Sequence, residues 1–143
     1  MSMVDQPGRV PLMPGLIQLL QALALEGVPA MVASSSSREI IEKVLRVNNI
    51  RHFFKDITGG DDVLYSKPAP DIFLETAAKA GMSVDRCLVI EDSENGIKAA
   101  RSAGMKVIAL SGEQSGKPDL HEASMIIHSL DEINTSVLRN LLV

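Results

Sequence analysis

Three polar clusters in this 143-residue chain carry side chains with chemistry to offer. Glu91 and Asp92 follow directly on the apolar run Leu88-Val89-Ile90. Two neighbouring anions leaving a strand repel one another by on the order of several kcal/mol once water is partly excluded, so something cationic should offset them. Mg²⁺, held through one or two carboxylates with water and phosphate oxygens, suits a site with no His or Cys nearby better than zinc does. A plainer reading is that Glu91 is solvated and Asp92 caps the next helix, and the pair alone leaves both open. Lys67 lies between Ser66 and Pro68-Ala69-Pro70, whose prolines limit the backbone and would present its ammonium to a phosphoryl oxygen at reduced entropic cost. Most lysines only solvate a surface. The serines 34–37 offer hydroxyls and the free N–H groups of a helix start, an anion site in one reading and an ordinary turn in another.

The elements that must position these groups are legible from period and punctuation. Residues 1–13 hold Pro7, Gly8 and Pro11 and show no period, so they read as an extended lead-in, with one domain expected over 14–143. Pro14 suits a first helical position, and Leu16, Leu19, Leu20 and Leu23 form one buried stripe that Gly27 stops. Residues 28–33 read as a buried strand. Ser36 and Glu39 have capping-box spacing for a second helix that ends at Asn48-Asn49. Residues 56–58 form a brief strand before the Gly59-Gly60-Asp61-Asp62 loop, where a turn role suits the two acids. Pro70 opens a third helix and Gly81 stops it. Residues 86–90 are the strongest strand, Ser93 caps a fourth helix closed by Gly104, and residues 105–110 form another strand. Residues 111–122 are rich in Gly, Ser and charge. Residues 125–127 form a last short strand, and Ser129 with Glu132 make a second capping box before a terminal helix. Helices alternating with short strands imply a parallel sheet covered on both faces, with ligands bound beyond the strand carboxyl ends. All three polar clusters fall at or near such ends.

Composition removes several classes of function. With 45% apolar but only 3% aromatic residues and a net charge of −4, the chain is globular and offers nucleobases little to stack on, so nucleic acid is not an expected partner. The lone Cys87 cannot form an internal disulfide, no leader is apparent, and no apolar window reaches the roughly 20 residues of a membrane span. A reducing cytoplasm is the expected location.

Taken as a set, Ser34-Ser35-Ser36, then Ser66-Lys67-Pro68-Ala69-Pro70-Asp71-Ile72-Phe73, then Val89-Ile90-Glu91-Asp92-Ser93 with Gly96 and Ala103-Gly104-Met105, resembles the haloacid dehalogenase-like phosphatases. Within them it is most similar to the β-phosphoglucomutase and phosphoglycolate-phosphatase group, from about Pro14 to Leu110. The resemblance implies a three-layer α/β/α Rossmann-like core with a parallel sheet. It also implies that Ser34 hydrogen-bonds the transferring phosphoryl group and that Lys67 offsets its charge. Glu91 and Asp92 would hold Mg²⁺ directly or through water, and Ser35 and Ser36 would assist phosphate binding. These roles agree with phosphoryl transfer as positioning plus neutralisation of charge.

Members of this family begin with a strand ending in Asp-x-Asp, whose first Asp is the nucleophile, and they insert a helical cap after it. No Asp-x-Asp occurs in these 143 residues, and Asp5 stands in the aperiodic lead-in. The missing strand would lie centrally, so its loss is expected to leave the strands of residues 28–33 and 87–90 about 10 Å apart with unpaired edges. Either they close up, or another chain supplies a strand, or the sequence is a piece of a longer enzyme, which is the favoured reading. The expected function is therefore that of the carboxy-terminal core segment of a Mg²⁺-dependent phosphatase or sugar-phosphate mutase acting on a small phosphorylated metabolite, inactive alone. The alternative is a non-catalytic phosphate-binding or assembly module that forms a homo-oligomer or accepts a partner's strand through its exposed sheet edge.

Overall fold

The computed structural model describes residues 13–111 and 120–142. Most of the lead-in and of the charged stretch after Ser111 lies outside the described residues. The first helix, α1 (Leu16–Leu25), starts two residues after Pro14, because Gly15 takes a left-handed conformation (φ 85°) as its cap. No side chain fits at Gly15, where a Cβ would sit 2.8 Å from the Asp131 nitrogen. Val28 does not join the next strand as expected. Its N–H closes the end of α1 on the Leu23 carbonyl at 2.9 Å, and β1 runs only Ala30–Ala33.

Helix α2 (Arg38–Val47) is capped by Ser37, whose hydroxyl accepts from the Ile40 N–H at 3.3 Å, and not by Ser36 as the spacing suggests. Strand β2 (Phe54–Thr58) starts two residues earlier than expected. A single turn at Gly60–Asp62 then leads by the Lys67 loop to α3 (Asp71–Ala80), with Pro70 at its start and Gly81 left-handed at its end. Arg86 and Cys87 fall outside β3 (Leu88–Glu91), the first in a preceding single turn and the second at its cap. Ser93 caps α4 (Glu94–Ser102) by accepting from the Gly96 N–H at 3.0 Å, as expected. Strands β4 (Lys106–Leu110) and β5 (Met125–Ile127) follow. The Ser129/Glu132 box caps the single turn Leu130–Glu132, whereas the start of α5 (Thr135–Leu142) is held by Asn134, which accepts from the Val137 N–H at 2.9 Å.

All strand pairs are parallel, but they form two sheets, β1-β2 and β3-β4-β5. The division falls between β1 and β3, which do not pair with each other, at the place where the family's central strand is expected from the sequence to be missing. The two pieces nevertheless share one layer. On one face a core of Ile72, Phe73 and Ala77 from α3, Ile97 and Ala100 from α4, Val89 and Val107 also takes in Ala33 from β1. On the other, Leu16 of α1 packs both against Ile108, Ile127 and Leu130 and against Val32, Ile41, Leu45 and Ile57. Helices α3 and α4 thus cover one face and α1, α2 and α5 the other, so the three-layer α/β/α arrangement holds although the sheet is interrupted.

Candidate functional site

Glu91 is the last residue of β3, and its carboxylate turns back over the start of α4. Its Oε1 accepts from the Asp92 N–H at 3.0 Å, the Ser93 N–H at 3.3 Å and the Ser93 hydroxyl at 3.1 Å. Its Oε2 accepts from Lys67 Nζ at 2.9 Å. This orientation is possible because residue 96 is glycine: a Cβ there would lie 2.0 Å from the Glu91 carboxyl carbon. The ion pair is largely buried, with the Lys67 and Glu91 side chains 15% and 10% exposed. Lys67 Nζ also lies 5.2 Å from the centre of the Phe73 ring, a cation–π contact from the first turn of α3.

Burial opposes the charged form of Glu91, but the Lys67 ammonium and the hydrogen bonds from Lys67 and Asp92 outweigh it and hold the carboxyl below its ordinary value. Asp92 moves the other way. Burial, then its hydrogen bond and repulsion with Glu91, push its carboxyl up. The adjacent acids therefore divide the work, with the negative charge held on Glu91 opposite Lys67.

Ser34 sits one residue past β1, and its N–H continues the β1–β2 ladder onto the Thr58 carbonyl at 3.0 Å. The residue is 6% exposed, and its hydroxyl accepts from the Ser36 N–H at 3.2 Å. Ser35 is exposed and Ser36 half-buried. The structure thus brings Lys67, Glu91 and Asp92 into one cluster and places residues 34–36 at the carboxyl end of β1. No hydrogen bond among the described residues joins Ser34 to Lys67 or Glu91.

Residues 59–62, read from the sequence as a turn, shape this rim together with Arg38 and Lys79, which the sequence reading passes over. The Gly60 N–H donates to the Ser36 carbonyl at 2.8 Å, and Cβ atoms at Gly59 and Gly60 would meet the Arg38 nitrogen at 2.6 Å and the Ser35 oxygen at 2.3 Å. Asp61 accepts from the Arg38 N–H at 3.0 Å and Asp62 from the Gly59 N–H at 2.9 Å, the turn role expected of them. Asp62 also meets Lys79 at 3.2 Å and Arg38 at 3.4 Å, while both cations donate to the Ile57 carbonyl at 2.8 Å. The Gly-Gly dipeptide was the available signal, since two such residues beside a strand end permit close backbone approach.

Among the described residues no group of three or more His, Cys, Asp or Glu side chains forms a metal cage. Adjacent carboxylates are hard oxygen donors of the type Mg²⁺ takes, so the donor chemistry fits. Both Glu91 oxygens are engaged within the chain, and Asp92 is itself hydrogen-bonded to Glu91.

The profile of the haloacid dehalogenase-like hydrolases matches residues 2–110, beginning earlier than Pro14. The chain belongs to that family. It is 39% identical over 134 residues to a bifunctional riboflavin kinase/FMN phosphatase of Arabidopsis thaliana, a match covering 93% of this chain and 34% of the plant enzyme. It is 32% identical over 129 residues to hexitol phosphatase B of Escherichia coli, covering 90% of this chain and 58% of that one. Among solved structures it resembles a family hydrolase from Entamoeba histolytica with a TM-score of 0.81 at 30% identity, covering 91% of this chain and 60% of the other. The crystal structure of CbbY from Rhodobacter sphaeroides in complex with phosphate is similar with a TM-score of 0.78 at 28% identity, over 84% and 55% of the two chains. The chain thus spans between a third and three-fifths of the length of these relatives.

Proposed function

We propose that residues 34–36, 67, 91 and 92 form the phosphoryl-binding centre of a phosphatase or sugar-phosphate mutase that acts on a small phosphorylated metabolite. The observation that carries this reading is the buried Lys67–Glu91 pair at the carboxyl end of β3. It fixes an ammonium beside a carboxylate-rich rim, where charge neutralisation serves phosphoryl transfer. Lys67 offsets charge on the phosphoryl oxygens, and the Ser34 hydroxyl and neighbouring amides orient them. Asp92, with Glu91 through water, would hold Mg²⁺, which supplies further positive charge to the phosphate when bound. Without an Asp-x-Asp nucleophile the chain by itself binds phosphate but does not turn it over. We place it in the cytoplasm; no helix among the described residues is long and apolar enough to cross a membrane.

The test is NMR titration of the chain with inorganic phosphate in the presence and absence of Mg²⁺, beside an aryl phosphate hydrolysis assay. Saturable binding that Lys67→Ala removes, with no turnover, is expected. Robust hydrolysis that Lys67→Ala abolishes would refute the claim of incapacity, and binding indifferent to Lys67→Ala would refute the site.

Among the described residues no strand pairs with β1 or β3 across the gap between them, which favours a second reading, an assembly module in which a second copy or another chain adds a strand. Sedimentation separates the two: a tight dimer indifferent to Mg²⁺ supports assembly, and a monomer that binds phosphate with Mg²⁺ supports the phosphoryl site.

A further inference from the structure

The Ser34 loop and the Lys67 loop approach the proposed phosphate from different elements, and residues 59–62 are tied to the supports of both. Gly60 holds the Ser36 carbonyl, and Asp61 holds the Arg38 N–H that follows the serines. Asp62 fixes the Gly59 N–H and reaches Lys79, which lies on α3, the helix that begins four residues after Lys67 and supplies Phe73 beneath its ammonium. Lys79 and Arg38 converge on the same carbonyl, that of Ile57, so the carboxylate and both cations form one closed network. The glycines leave no slack, because neither position 59 nor position 60 has room for a Cβ against the serine-loop backbone.

We propose that Asp62 is a positioning residue: by joining the Gly59–Gly60 backbone to Arg38 and to Lys79 of α3, it couples the serine loop to the support of Lys67. It thereby sets phosphate affinity without touching phosphate. The inference rests on the phosphoryl-site reading above. Sign distinguishes it from simple electrostatics. Removing a carboxylate near an anion site lessens repulsion and should tighten phosphate binding. A positioning role demands the opposite.

The experiment compares phosphate titrations, followed by amide NMR in Mg²⁺, for the intact chain, Asp62→Asn, Asp62→Glu, Lys79→Met and Glu75→Gln. Glu75→Gln removes the same charge from an exposed position on α3. Asp62→Asn should weaken binding about fivefold, the scale of one charge-assisted hydrogen bond. Lys79→Met should act in the same direction, Asp62→Glu should recover part of the loss, and Glu75→Gln should leave binding unchanged or tighter. Hydrogen exchange of the Ser36 and Gly60 amides should quicken in Asp62→Asn. Unchanged or tighter phosphate binding in both Asp62→Asn and Lys79→Met, with unchanged exchange, overturns the proposal. Should the intact chain bind no phosphate in a Lys67-dependent manner, the phosphoryl-site reading fails, and the exchange rates still decide whether Asp62 couples the loops.

Discussion

The outer edge of β2 and the inner edges of β1 and β3 are built on opposite plans. Along β2, Arg38 and Lys79 donate to the outward Ile57 carbonyl, with Asp56 and Asp62 balancing their charge. A sheet edge so occupied cannot template another strand. Between β1 and β3 the buried Lys67–Glu91 pair stands only at the carboxyl end of β3, and mid-strand Ile90, whose side chain projects from a face of the strand, remains 38% exposed. The contrast teaches that the sheet ends at β2 and is interrupted at β1/β3. An all-parallel layer is stable when both faces and neighbouring edges are covered, and among the described residues no strand covers the edges between β1 and β3.

The sharpest way to break this comparison is to perturb the two regions equally and ask whether they answer equally. Ile57→Ala, at a fully buried site in the guarded piece, should cost about 2–5 kcal/mol in urea unfolding. A loss below 1 kcal/mol would mean that β2 is not the anchored strand described. The next effect depends on pH. The Gly59 N–H first, then Lys79 and Arg38, hold the Asp62 carboxyl below its ordinary value against some desolvation. A depressed folded value gives stability that is complete above the unfolded value, near about 4, and lost as pH falls through the folded one. The stability gap between the chain and Asp62→Asn should therefore be widest at neutral pH and narrow as pH falls below the unfolded carboxyl's value; a constant gap would point to packing. The smallest effect belongs to the exposed side chain beside the gap: Ile90→Ser should change stability by no more than about 0.5 kcal/mol. If that substitution is as costly as Ile57→Ala, Ile90 is covered in the free chain.

Much of this arrangement was readable before any coordinates. Helices α3 and α4 came through because Pro70, Gly81, Ser93 and Gly104 punctuate them by local chemistry that tertiary contacts do not override. The three polar clusters stood out because each sits where an apolar strand or a proline-bounded loop stops. Four consecutive serines are chemically equal, however, so nothing local chooses Ser37 over Ser36 as the cap of α2. The start of β1 was misjudged because Val28 looks like strand but its N–H is needed by α1. The sequence asks for a cation beside Glu91 and offers Mg²⁺, whereas the pairing of Glu91 with Lys67 spans 24 residues, beyond any periodic signal. The network around Asp62 was hidden for the same reason, since Arg38, Asp62 and Lys79 come from three separate elements.

Gly96 lends the carboxylate of Glu91 the volume that any side chain of its own would occupy. A saturation scan of the gene should therefore find one of its least tolerant codons where the encoded residue has no functional group at all. Even alanine, the mildest replacement in a helix, would evict the acid from its seat and set the ammonium of Lys67 adrift.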